Sequence, residues 1–199
     1  MPRRAVIAML VPVPWHPPGV DPGAWRAALA EDVVDLLATL AEVEPAIAVV
    51  PADRPLADAV AWPGMPIYEI PTLSVNAALA AAHRDGFDQA AVIAGDAADV
   101  PGLTIGKLLR PLTSRPVSVA AAGAGDAGLL GVAARLPVPA WLPEHDLDGG
   151  SPAQLRRPAP EPGDVAVAPV WRRLRGPQDL ATLDQAVEGW DTTRALLGG

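Results

Sequence analysis

The sequence of 199 residues contains no cysteine and only one Phe and one Tyr. Without cysteine the chain can form no disulfide, no thiolate zinc site and no cysteine nucleophile. Because aromatic rings are so few, Leu, Val, Ala and the six Trp residues must fill the core. No apolar run approaches the roughly 20 residues of a membrane span. Disulfide-stabilised, thiol-dependent and membrane-spanning classes are therefore excluded.

Basic residues are also scarce: 15 Lys and Arg stand against 23 Asp and Glu, a formal net charge of −8. A general nucleic-acid binder needs a basic surface to neutralise phosphates, so we expect no nucleic-acid polymer as a partner. A nucleotide is not excluded, because one pocket of an acidic protein can be basic or can hold a bridging metal.

The first residues imitate a signal peptide, since two arginines precede the apolar segment 5–13. Pro12 and Pro14 break that segment early, and a buried first strand explains the same residues. We therefore expect a cytoplasmic protein that does not associate with membranes.

Apolar runs alternate with amphipathic segments along the chain. Apolar runs at 5–11 and 89–94 predict strands covered on both faces. Further strands are predicted at 46–50, 117–122, 129–133 and 164–171. Helical spacing predicts helices at 25–42, 74–86, 104–112 and 177–190, with Asp21 and Ser74 as N-caps. This alternation predicts an α/β fold, a three-layer α/β/α sandwich around a mostly parallel sheet. We expect a single domain over 1–199, with an irregular excursion at 137–163.

Two carboxylates follow the buried run 89–94 directly, at Asp96 and Asp99. Ligands of open α/β sheets bind at the carboxyl ends of the strands, and paired carboxylates there suit Mg²⁺ or Mn²⁺ bridging nucleotide phosphates. The alternative is structural: Asp96 forms an Asx-turn and Asp99 caps the next segment.

The order of short motifs resembles the GT-A nucleotidyltransferase-like group, especially the DUF2064 branch and more distantly the phospholactate guanylyltransferases. The matching segments are Ser74-Val-Asn-Ala-Ala-Leu79, Asp99-Val-Pro-Gly-Leu103, Asp126-Ala-Gly-Leu-Leu-Gly131 and Arg173-Leu-Arg-Gly-Pro-Gln-Asp-Leu180. The resemblance implies a transferase acting on a nucleoside triphosphate or nucleotide sugar with Mg²⁺ or Mn²⁺. It implies Asp99 as metal ligand and catalytic residue, Asp126 as catalytic residue near the acceptor, and Asn76 at the nucleotide. Asp96 is expected at the nucleotide because it follows the buried strand directly.

Two departures from that pattern concern charge. The loop at 13–20 has no Lys or Arg to neutralise a triphosphate; Trp15 would lie near the base, and His16 is its only titratable donor. In the last motif both acidic positions are arginines, Arg173 and Arg175. A guanidinium in place of a carboxylate ligand reverses the local charge and disfavours a bridging cation.

Three questions stay open at this stage. Arg173 and Arg175 could clamp phosphates in place of the cation, with Arg172 or Arg175 paired to Asp99, or they could be solvated. The charged stretch 144–148 is interpreted as a solvated loop. The chain is either a nucleotidyl- or glycosyl-transferase or a catalytically silent relative of these enzymes. In a silent relative, Trp15 and the prolines that follow it would fill the cleft, or an ion pair would close it. Exposed apolar helix faces are compatible with a homodimer or another protein partner.

Overall fold

The computed structural model describes residues 1–123, 128–184 and 186–198. Within them, seven strands form one sheet: β1 Arg4–Met9, β2 Glu44–Val49, β3 Ile67–Glu69, β4 Gln89–Ala94, β5 Val117–Ala121, β6 Leu129–Arg135 and β7 Val165–Val167. The α-helices in the same ranges are α1 Pro22–Thr39, α2 Arg54–Val60, α3 Val75–Arg84, α4 Gly102–Leu109, α5 Pro152–Arg156, α6 Pro177–Leu180 and α7 Asp191–Leu196. None of these helices is both long enough and apolar enough to cross a membrane.

The sheet has the strand order β3-β2-β1-β4-β6-β5-β7. Strand β6 runs antiparallel to both of its neighbours, β4 and β5, while the other neighbouring pairs are parallel. The predicted α/β fold with a mostly parallel sheet is confirmed. The carboxyl ends of β1, β4, β5 and β7 therefore share one edge of the sheet, which we call the carboxyl edge.

Alternate residues of the central strands supply two separate apolar cores, one on each face of the sheet. Ile7 and Met9 of β1 pack on the α3 side, whereas Val6 and Ala8 pack on the side of α1 and α4. Because both faces are covered, every residue of β4 is buried. This is why the strands read as continuous apolar runs rather than as alternating patterns.

The structure contains both of the N-caps that the sequence predicts, Asp21 for α1 and Ser74 for α3. Asp21 accepts a hydrogen bond from the Ala24 N–H at 2.8 Å, and Ser74 accepts one from the Ala77 N–H at 3.1 Å. Helix α3 then closes at Gly86, whose φ of 82° is a left-handed conformation that glycine adopts without strain.

The prediction of one long helix at 177–190 is wrong. Helix α6 ends at Leu180, and a separate helix α7 begins at Asp191, where the buried Asp32 of α1 accepts the N–H groups of Thr192 and Thr193. The predicted inward-facing apolar residues do face inward, since Leu180, Leu183 and Val187 all pack against a buried cluster that includes Trp25 and Trp190. Sequence patterns also missed three short elements: α2, β3 and, inside the irregular excursion, α5.

Candidate functional site

The loop after β4 starts with a glycine that the backbone requires. The Gly95 N–H donates to the Met9 carbonyl of β1 at 2.9 Å, and a Cβ on Gly95 would lie only 2.8 Å from that same oxygen. The chain can therefore turn off the sheet only with glycine at this position. This turn places Asp96 and Asp99 at the carboxyl edge, as the sequence predicted.

Asp96 is completely buried and paired with an arginine. Arg173 donates from Nε and Nη2 to the two Asp96 oxygens at 2.6 and 2.9 Å, while the Arg175 Nε lies 3.4 Å from Asp96 Oδ2. Burial acts to lower the pKa of Arg173, but the charges and hydrogen bonds of Asp96 and Asp148 outweigh it and raise the pKa. Arg173 is therefore a permanent cation inside the protein.

Asp99 is enclosed in the same way by the neighbouring arginine. Arg172 Nη2 lies 2.5 Å from Asp99 Oδ2, and the Trp171 indole donates to Oδ1 at 3.2 Å. The Asp99 side chain is only 1% exposed. Both of its oxygens thus have protein partners and neither faces solvent.

The segment 171–175 is held across the loop after β4 by backbone contacts and by one apolar side chain. The Leu174 N–H donates to the Asp96 carbonyl at 2.8 Å. The Leu174 side chain belongs to a group that we call the tryptophan cluster, formed by Trp25, Leu29, Ala98, Leu174 and Trp190 with Val13, Trp15, Val20, Leu180, Leu183 and Val187 partly buried against it. Because Leu174 points into this cluster, its neighbours Arg173 and Arg175 point toward the carboxylates.

A cleft of about 380 Å³ remains at the carboxyl edge. Its lining consists of Pro14, Ala122, Asp148, Arg173, Arg175, Gln178 and Asp179. Asp148 comes from the excursion and pairs with both cleft arginines, at 2.7 Å from Arg173 Nη2 and 3.1 Å from Arg175 Nη1. Asp148 is exposed, as the interpretation of 144–148 as a solvated loop predicts, but it also has two arginine partners that this interpretation did not include. Nothing in the sequence signals this pairing, since Asp148 and Arg175 are 27 positions apart.

The excursion also covers the N-terminal end of α3. The Ser74 hydroxyl donates to Glu144, the Val75 N–H donates to the His145 carbonyl, and Asn76 Nδ2 donates to the Leu142 carbonyl at 3.3 Å. Asn76, predicted to bind the nucleotide, thus anchors a loop of the chain itself. Its nucleotide role stays a prediction.

The remaining predicted residues lie apart from the cleft or outside the described residues. Trp15 is half-buried in the tryptophan cluster, edge-on to Trp25 with ring centroids 6.2 Å apart. The exposed His16 has its Nδ1 3.2 Å from the Pro17 carbonyl oxygen. Asp126 lies outside the described residues, so its expected convergence with Asp99 stays a prediction.

The donor set does not fit a divalent metal. Mg²⁺ and Mn²⁺ need free oxygen ligands, but arginines occupy Asp96 and Asp99 as partners. Across residues 1–123, 128–184 and 186–198, no three Asp, Glu, His or Cys side chains gather in a group that could hold a metal ion. Within these residues, the carboxylates that follow β4 have guanidinium groups as their partners.

No model of a known protein family matches this chain, and no curated protein matches it. Solved structures do match. A protein assigned to the nucleotide-diphospho-sugar transferases, from Desulfovibrio desulfuricans G20, has a TM-score of 0.65 at 20% identity, covering 100% of this chain and 98% of its own. The chain has the nucleotide-diphospho-sugar transferase fold.

Two further structures with this transferase fold contain ligands. A CMP:2-keto-3-deoxy-manno-octonic acid synthetase complexed with CTP has a TM-score of 0.54 at 13% identity, covering 98% of each chain. Glucosyl-3-phosphoglycerate synthase from Mycobacterium tuberculosis, in complex with Mn²⁺, UDP and glucosyl-3-phosphoglycerate, has a TM-score of 0.54 at 14% identity, covering 98% of this chain and 78% of that one. The predicted transferase-like fold is thereby confirmed, whereas the closer resemblance to DUF2064 stays a prediction.

Proposed function

We propose that this protein binds a nucleotide or nucleotide sugar in the cleft at the carboxyl edge, without a divalent metal and without metal-dependent transfer. One observation carries the proposal: Arg172 and Arg173 pair with the two carboxylates that the sequence offers as metal ligands, and Arg175 presents guanidinium N–H donors at the cleft.

The location is supported by the architecture. Open α/β sheets bind ligands outside the carboxyl ends of their strands, and the cleft lies there. Solved structures that share the fold contain CTP or UDP. A guanidinium presents planar pairs of N–H donors that match phosphate oxygens, so an arginine can supply the charge that a metal supplies elsewhere.

The lack of metal-dependent transfer follows from the charge arrangement. Nucleotidyl and phosphoryl transfer depend on positioning and on stabilising charge at the reacting phosphate. The loop at 13–20 offers no Lys or Arg for this task, and Asp99 has both oxygens occupied. Nucleotide binding does not need the missing basic residues or a free Asp99, because holding a phosphate requires less stabilising charge than a transition state of phosphoryl transfer does.

The test is thermal denaturation of the protein with GTP, CTP, UTP, ATP and several nucleotide sugars, each with and without Mn²⁺. A ligand at a hundredfold excess over its dissociation constant stabilises the native state by about 2.7 kcal/mol. We expect one of these nucleotides or nucleotide sugars to raise the melting temperature of the protein by the same amount with and without Mn²⁺. Arg175→Gln should remove that rise, whereas Arg84→Gln on the exposed end of α3 is the charge-matched control and should retain it. A rise that requires Mn²⁺ would contradict the proposal.

A second candidate is a catalytically silent relative that acts through a protein partner. The tryptophan cluster favours it, because Trp15 packs against this cluster, which includes Ala98 of the loop after β4, and does not line the cleft. This candidate requires that no nucleotide changes the melting temperature, with or without Mn²⁺.

A further inference from the structure

The carboxylate of Asp148 lies where two guanidinium groups converge. Its Oδ1 is 2.7 Å from Arg173 Nη2 and 3.1 Å from Arg175 Nη1, and its Oδ2 is 3.2 Å from Arg175 Nη2. Two arginines that donate to one small anion form the arrangement in which proteins bind a phosphate group.

The outward guanidinium donors of the two arginines meet at this position. Inside the protein, Arg173 and Arg175 both approach Asp96. Asp179 also lines the cleft of about 380 Å³, but its carboxylate accepts the Arg175 backbone N–H at 2.9 Å. The guanidinium N–H groups that face the cleft therefore go to Asp148, from the solvent side.

Asp148 is far less firmly held than Asp96. Its side chain is 44% exposed, whereas that of Asp96 is 0% exposed. Asp148 precedes Gly149 and Gly150, and its exposed carboxylate can exchange an arginine for water at less cost than the buried Asp96 can. A phosphate carries more charge and more acceptor oxygens than a carboxylate, so it competes well for the same donors.

We propose that Asp148 is an internal competitor that occupies the phosphate position of this cleft and that a ligand phosphate displaces it. This inference rests on the proposed function and specifies how its binding site is regulated. The ligand group is a terminal phosphate or a pyrophosphate, held by Arg175 together with the outward edge of Arg173. The protein then binds phosphates weakly while Asp148 is in place and more tightly once that carboxylate is removed.

Isothermal titration calorimetry with sodium pyrophosphate tests this on the full chain. Asp148→Asn should bind pyrophosphate about tenfold more tightly than the wild type, equivalent to about 1.4 kcal/mol. Asp58→Asn is the matched control, since Asp58 is also an exposed carboxylate paired with an arginine, and it should bind as the wild type does. Adding Arg175→Gln to Asp148→Asn should abolish the gain.

Equal pyrophosphate affinity in Asp148→Asn and the wild type would overturn the inference, as would a gain that survives Arg175→Gln. Asp148→Ser repeats the charge removal with a smaller side chain, so a folding defect in one variant does not decide the result. The proposed function fails separately: a pyrophosphate gain in Asp148→Asn without any nucleotide-induced rise in melting temperature would sink that proposal and leave this one standing.

Discussion

Asp96 and Asp148 both pair with Arg173 and Arg175, but their surroundings differ. Asp96 is sealed under the chain, with arginine donors on both oxygens. Asp148 meets the same arginines at the rim of the cleft, with nearly half of its side chain in solvent. A buried charge cannot lose its partner without a large penalty, whereas an exposed one can exchange it for water or another anion. We infer that the inner pair is structural and that the outer pair is the one available for binding.

The largest expected effect tests the inner pair. Arg173→Met leaves Asp96 buried with only the distant Arg175 Nε, so we expect a loss of about 3–5 kcal/mol in the free energy of unfolding. Urea denaturation measures it. Arg54→Met, which breaks only exposed pairs, should cost less than about 1 kcal/mol. Equal losses in the two variants would show that burial does not make the inner pair more costly to break than an exposed pair.

The second effect concerns the other buried carboxylate. Asp99→Ala frees Arg172, which is 24% exposed and can reach water, so we expect a smaller loss of about 1–3 kcal/mol. Because Asp99 does not line the cleft, nucleotide-induced stabilisation should persist in this variant. Melting curves with and without nucleotide check both points. A nucleotide response that disappears with Asp99 would return this residue to the binding site.

The third effect tests the outer pair itself. Asp148→Asn should lower the free energy of unfolding by no more than about 1–2 kcal/mol, because the Asp148 carboxylate is 44% exposed although one of its partners, Arg173, is buried. Urea denaturation in low and high salt measures this small change and its screening. A loss as large as that of Arg173→Met would show that the outer pair is structural too.

The smallest effect lies in the excursion beside the cleft. Burial lowers the pKa of His145 below its usual range, so the folded state binds fewer protons than the unfolded state. Stability from this group is present above pH about 6.5 and falls as the pH drops below that value, by at most about 1.4 kcal/mol per pH unit. His145→Asn should flatten the fall between pH 7 and 5, whereas His83→Asn, on the exposed end of α3, should not. Parallel pH profiles for His145→Asn and the wild type would contradict this assignment.

Much of the fold follows from local signals. The strand at 89–94 is an unbroken apolar run because both faces of β4 are covered, and Asp21 and Ser74 mark helix starts by capping free N–H groups. The predicted helix at 177–190 is too long. Its apolar residues do have helical spacing and do pack inward, but the backbone between them is not one continuous helix. The sequence also does not predict that β6 runs antiparallel to its neighbours, since a run of apolar residues fits either strand direction.

The candidate site shows the same division. The sequence by itself determined that carboxylates follow β4, that the loop at 13–20 lacks basic residues, and that three arginines stand at 172, 173 and 175. Only the tertiary structure decided which arginine meets which carboxylate and which pair stays in water. Those pairings join residues as many as 77 positions apart, and they depend on how Leu174 packs into the tryptophan cluster. Charge is a property of the sequence, whereas burial, which sets how strongly a charge binds, is a property of the fold.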